Sequence, residues 1–149
     1  MIVVKRRQKA IHIYNESGQR LPVQRDTIEG VLHKLIQAFH IPAFDINCIF
    51  VQDDALREMK IQYFDEDVYT DIISFTLDCS EEFLEGELYI SPERIRENAH
   101  EYTVPVKQEF IRILIHGFLH LMGYEDSSEE ERKTMRELED RFLKEWDYA

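Results

Sequence analysis

The sequence predicts an α+β fold, a single domain spanning residues 1–149 in which helices pack around a mixed four-stranded sheet. Three observations lead there. The length suits one domain with a sizeable core. Short apolar or alternating runs are interspersed with stretches of helical periodicity, and the first such helix can cross between two parallel strands. One helical stretch is apolar almost all round, the mark of a buried helix.

Ile11-His12-Ile13-Tyr14 alternates and reads as the first strand, closed by Asn15-Glu16-Ser17-Gly18. Asp26 or Thr27 can cap the first helix, which places Ile28, Val31, Leu32, Leu35, Ile36 and Phe39 on one side and stops at Pro42. Asn47 to Val51 reads as a second strand. Asp53 to Tyr63 follows as a short helix with Leu56, Met59 and Tyr63 aligned. Ile72 to Leu77 and Gly86 to Ile90 read as the third and fourth strands. Ser91 caps the next helix, with Pro92 at its first position and Glu93 in its first turn, and that helix runs to about His100. Val106 to Met122 is the buried helix. Ser127 and Ser128, each followed three residues later by Glu130 or Glu131, signal a capping box for a last helix with a stripe of Met135, Leu138, Phe142 and Trp146.

Net charge is −12, which argues against a generic nucleic-acid binder unless a cationic groove is local. Acid concentrates in 81–87 and 126–139, and base in Lys5 to Lys9, a run able to touch phosphates. The terminal acidic helix reads as a solvated amphipathic helix or a docking surface for a basic protein. Cys48 and Cys79 stand far apart with no CxxC, as expected of reduced packing residues. The N-terminus lacks the apolar run of a signal peptide, and no segment suits a bilayer span, so a soluble cytoplasmic protein is expected.

The chemistry concentrates in His116-Gly117-Phe118-Leu119-His120-Leu121-Met122-Gly123-Tyr124-Glu125-Asp126. Side chains four apart on a helix share a face, so both imidazoles can reach one ion. Gly123 lets the chain leave the helix and Asp126 return as a third ligand; Glu125 is the alternative carboxylate, and capping is the competing role for Asp126. Two histidines, one carboxylate and an open position make a known catalytic zinc arrangement. The same donors suit iron or manganese, so zinc is a preference for the one divalent ion expected per chain. The ligand spacing matches that of metzincin proteases, but their general base, the residue after the first histidine, is here Gly117, which disfavours zinc-dependent peptide hydrolysis.

The His-Gly-x-x-His-x-x-Gly-Tyr-acid pattern resembles the signature of the YbeY family of metal-dependent endoribonucleases. Tyr69-Thr70-Asp71-Ile72-Ile73-Ser74-Phe75 is similar to that family's Pro-Thr-Asp-Val-Leu-Ser-Phe strand, Gly86 to Ile90 to its Gly-Asp-Ile strand, and Ile11 to Glu16 to its opening strand. The resemblance implies a single α+β domain with a metal at the end of a groove. It implies a single-strand endoribonuclease that processes the 3′ end of small-subunit ribosomal RNA and serves ribosome quality control. Ribosomal RNA and ribosome components are the implied partners, with neither membrane nor DNA expected. Thr70, Asp71 and Ser74 are candidates for the substrate groove, and Glu125 and Asp71 for a general base, although none is assigned. Two positions depart from the pattern: the usual third histidine falls on Asp126, and the arginine that commonly follows the tyrosine falls on Phe64, after Tyr63. Lys60, Arg57 or Arg112 are the cations available to compensate. The rival readings are a non-catalytic ribosome-assembly factor whose metal pins the fold, and a metallohydrolase of another substrate, peptide included.

Overall fold

A computed structural model describes residues 8–146; Lys5, Arg6 and Arg7 of the basic run lie outside the described residues. The elements follow in the order β1 (Lys9–Asn15), α1 (Arg25–Ala38), β2 (Phe44–Phe50), α2 (Asp53–Phe64), β3 (Ile72–Cys79), β4 (Leu84–Ile90), α3 (Pro92–Tyr102), α4 (Val106–Leu121) and α5 (Glu129–Lys144). The strands form one sheet in the order β1-β2-β4-β3. β1 and β2 are parallel, as are β2 and β4, whereas β3 and β4 form an antiparallel hairpin. The expected mixed four-stranded sheet is present, with α1 crossing between β1 and β2. No helix among the described residues is long and apolar enough to cross a membrane.

Alternation along the strands sorts residues between two faces. Phe44, Ile46, Cys48 and Phe50 of β2 and Leu84, Leu88 and Ile90 of β4 point into the main core, where they meet α1, α4 and α5. Ile49, Ile73, Phe75 and Tyr89 point to the other face and meet Leu56 and Met59 of α2. Of the expected α2 stripe only Leu56 is fully buried; Tyr63 is largely exposed and touches Phe75 by its edge.

The strands run up to three residues beyond their expected bounds, β2 starting at Phe44 and β4 at Leu84, and both ends of α1 differ from expectation. Gln24, not Asp26 or Thr27, occupies the N-cap of α1, and its carbonyl accepts from the amides of Thr27 and Ile28. Asp26 falls in the first turn instead, where its charge faces the positive helix end. The helix stops at Ala38, ahead of Pro42. His40 takes a left-handed conformation, and the amides of His40 and Ile41 return to the carbonyls of Gln37 and Ile36. That paired return closes the helix end without help from a proline. At α5 the capping box uses Ser128 with Glu131, while the Ser127 hydroxyl donates to the Glu131 carboxylate. Cys48 is buried, which pushes its thiol pKa up to about 12, but Cys79 is exposed and so is not a packing residue.

The buried helix α4 lies against the sheet at unusually close range. A Cβ on Gly117 would sit 2.3 Å from Ile72 Cδ1 and 3.1 Å from Leu88 Cδ2, and one on Gly86 would sit 2.8 Å from Leu121 Cδ2. Glycine on each side lets backbone approach backbone. β3 then satisfies carbonyls of the helix: Ser74 Oγ donates to Gly117 O at 3.0 Å, and Thr76 Oγ1 to Leu121 O at 3.1 Å. The Leu121 carbonyl is one of those a helix end leaves without an internal partner. We expect Gly117→Val to lower stability by about 1–3 kcal/mol through overpacking against Ile72 and Leu88. Urea unfolding checks this, and an unchanged midpoint would mean that the helix can ride outward at no cost.

Candidate metal centre

The close approach of α4 fixes the backbone of Gly117, and His116 precedes it on the side facing the start of β3. One turn later His120 points the same way. The helix then ends in a left-handed glycine: Gly123 has φ +95°, and the amides of Gly123 and Tyr124 return to the carbonyls of His120 and Leu119. This closure turns the Tyr124 carbonyl back over the helix, 2.9 Å from His120 Nδ1. Ser128 caps α5, so Asp126 has no capping duty. Its Oδ2 lies 3.4 Å from Nε2 of both histidines.

The two Nε2 atoms are 3.0 Å apart. His116 Nδ1 meets Glu139 Oε2 at 2.6 Å and His120 Nδ1 meets the Tyr124 carbonyl. Both Nδ1 atoms face acceptors and therefore carry the hydrogens, which leaves both Nε2 lone pairs aimed at each other and at a carboxylate. Such a cluster repels itself unless a cation sits among it. The separations suit one. Tetrahedral ligands at about 2.0–2.1 Å from zinc lie roughly 3.3–3.4 Å from one another. His116, His120 and Asp126 thus form a group able to hold a metal ion, and the structure brings together the three residues that the motif singled out.

Sequence reasoning missed Glu139. It is almost fully buried on α5, and it orients His116 while its Oε1 accepts from Arg112 Nη1 at 2.8 Å. Arg112 Nε and Nη2 donate to the buried Glu109, at 3.2 and 2.9 Å to Oε1. An ionic chain of Glu109, Arg112, Glu139 and His116 therefore runs through the helix interface. The helical spacing carried a signal for its burial alone, since Glu139 lies four residues after Met135 on the apolar stripe of α5, but none for its partner. Burial opposes the charged form of His116, but the Glu139 hydrogen bond and the nearby carboxylates outweigh it and raise its pKa. Desolvation likewise raises the pKa of Glu109, against the pull of Arg112.

A cleft of about 440 Å³ opens over these groups, lined by Lys60, Phe64, Thr70, Asp71, Ile72, Ile73, Ser74, Glu125 and the three donor residues. Thr70, Asp71 and Ser74 all reach its wall, but the Ser74 hydroxyl is engaged with α4. Asp71 accepts from Asn98 Nδ2 at 3.0 Å, and burial raises its pKa. Among the three cations considered for the position of Phe64, only Lys60 lines the cleft. Arg57 pairs with Asp67 at 2.6 Å, and Arg112 is committed beneath His116. Arg112→Met should cost about 3–5 kcal/mol, because two buried carboxylates lose their counter-ion. Denaturant unfolding reads this, and a loss under 1 kcal/mol would mean that Glu109 and Glu139 are served by other partners.

A family model described as Endoribonuclease YbeY matches residues 12–147. The Endoribonuclease YbeY of Flavobacterium psychrophilum is 45% identical over 100 residues, 67% of this chain and 71% of that protein. That of Cytophaga hutchinsonii is 34% identical over 137 residues, 92% of this chain and 96% of the other. Among solved structures, the solution structure of TM1509 from Thermotoga maritima superposes with a TM-score of 0.58 at 27% identity, covering 93% of this chain and 92% of that one. With a match over nearly the whole length and the same fold, the chain belongs to the YbeY endoribonuclease family.

Proposed function

We propose that the whole chain, residues 1–149, works as one metallohydrolase domain that cuts single-stranded RNA with a divalent ion, zinc by preference, held by His116, His120 and Asp126. The observation that carries this reading is the convergence of three donor atoms within 3.0–3.4 Å in the lining of a cleft. Membership of an endoribonuclease family supports the reaction class. The processing of the 3′ end of small-subunit ribosomal RNA, ribosome quality control, ribosome components as partners and a cytoplasmic location complete the proposal. They rest on the family resemblance.

When bound, the ion supplies charge withdrawal from a phosphate oxygen and an acidified water. The chain's own groups prepare the rest. Glu139 and the Tyr124 carbonyl fix the tautomers and ring planes of the two histidines, as partners behind metal-binding imidazoles commonly do. Asp126 contributes the negative charge of the donor set. Asp71 keeps a proton to higher pH than an ordinary carboxyl, a property suited to proton transfer at the cleft wall. Lys60 adds a cation to the lining of the same cleft, a charge suited to a phosphate. The packing of Gly117 against Ile72 and Leu88 leaves no room there for a proteolytic glutamate.

His116→Ala or His120→Ala should abolish metal uptake, measured by elemental analysis of purified protein, together with chelator-sensitive cleavage of unpaired RNA. Full metal content in both variants overturns the ligand assignment. Glu139→Gln should lower metal affinity about 10–100-fold in a competition titration. Equal affinity would show that the Glu139 contact does not orient His116.

A further inference from the structure

Phe64 ends α2, lines the cleft and stays 42% exposed. It is not a stray surface ring. Phe75 of β3 stacks on it with a centroid separation of 6.1 Å and an interplanar angle of 22°. Phe75 is itself held edge-on by Tyr63 at 5.4 Å and Tyr89 at 5.9 Å. The ring is therefore backed by an aromatic cluster rooted in the sheet. One turn earlier on α2, Lys60 Nζ lies 4.6 Å from its centroid, in the same cleft as the histidines. A rigid flat surface and a cation, side by side next to a metal-type donor cluster, match the two halves of a nucleotide.

We propose that Phe64 and Lys60 form a nucleotide-binding platform: the ring stacks on an unpaired base of the RNA, and the ammonium takes an adjacent phosphate. This rests on the endoribonuclease reading above. The chemistry favours single strands, because a base inside a duplex has both faces covered while an unpaired base offers one to an aromatic ring. It also predicts little preference among bases, since each has a π-face. In the free protein the Lys60 ammonium sits over the ring; the arriving base replaces it there and brings the phosphate to which it transfers.

The test is steady-state cleavage of a single-stranded RNA by the metal-loaded protein and its variants. Alongside it, fluorescence quenching is followed for the same RNA carrying 2-aminopurine in its unpaired segment. Phe64→Ala should raise KM about 5- to 150-fold, the range set by loss of one stacked base, with little change in kcat. Quenching should disappear. Phe64→Trp should restore both readouts, and Phe64→Leu, apolar but without a π-face, should restore neither. Lys60→Ala should raise KM and flatten its salt dependence while leaving quenching in place. Cleavage by wild type with an unchanged KM in Phe64→Ala, or rescue by leucine as good as by tryptophan, overturns the platform and leaves the nuclease reading standing. Absence of cleavage of any RNA by wild type, with quenching still lost in Phe64→Ala, overturns the nuclease reading and leaves the platform.

Discussion

Everything near the site depends on how closely α4 can approach the sheet. Glycine at 117 and at 86 removes the side chains that would otherwise space the helix from β3 and β4, and Ile72, Leu88 and Leu121 fill what remains. Packed interiors leave few voids, so this contact sets the spacing of helix and sheet. His116 is adjacent to Gly117, and the backbone that carries its imidazole is set by the same contact. The hydroxyls of Ser74 and Thr76 reinforce the same seam. Structural demands and the placement of the donor group therefore fall on the same few residues, and the glycine that stands where a proteolytic glutamate would is also the one that seats the helix carrying both imidazoles.

A second layer of order comes from charge. Burying Glu109 and Glu139 is costly unless each is paired, and Arg112 bridges both. Glu139 has an oxygen left over, and it spends that oxygen on His116. The carboxylate that ties α5 to α4 is also the one that orients a metal-type imidazole. One cleft is lined both by the three donor residues with Asp71 and by Lys60 with Phe64.

Much of this was legible in the sequence, for local reasons. Strand alternation and helical spacing reflect burial patterns set within a few residues, so the mixed sheet, the buried α4 and a capping box at Ser127 or Ser128 were readable; the structure places it at Ser128. The histidine pair was readable because both imidazoles share one helix face, and Asp126 because Gly123 marks where the chain turns. Glu139 was not, because its partner stands on another helix, 23 residues back in the chain. Nor could Lys60 be separated from Arg57 and Arg112, since only tertiary packing commits Arg57 to Asp67 and Arg112 to two buried carboxylates. The cap of α1 moved to Gln24 because the backbone, more than side-chain preference, decided where the first turn closed.

The late position of Glu139 has a consequence for the order of events during synthesis. A growing polypeptide emerges with both imidazoles and Asp126 well before the residue that steadies His116. Until the final helix docks, that ring lacks the hydrogen-bond partner that sets its plane. The finished geometry of the donor group is thereby tied to completion of the tertiary structure.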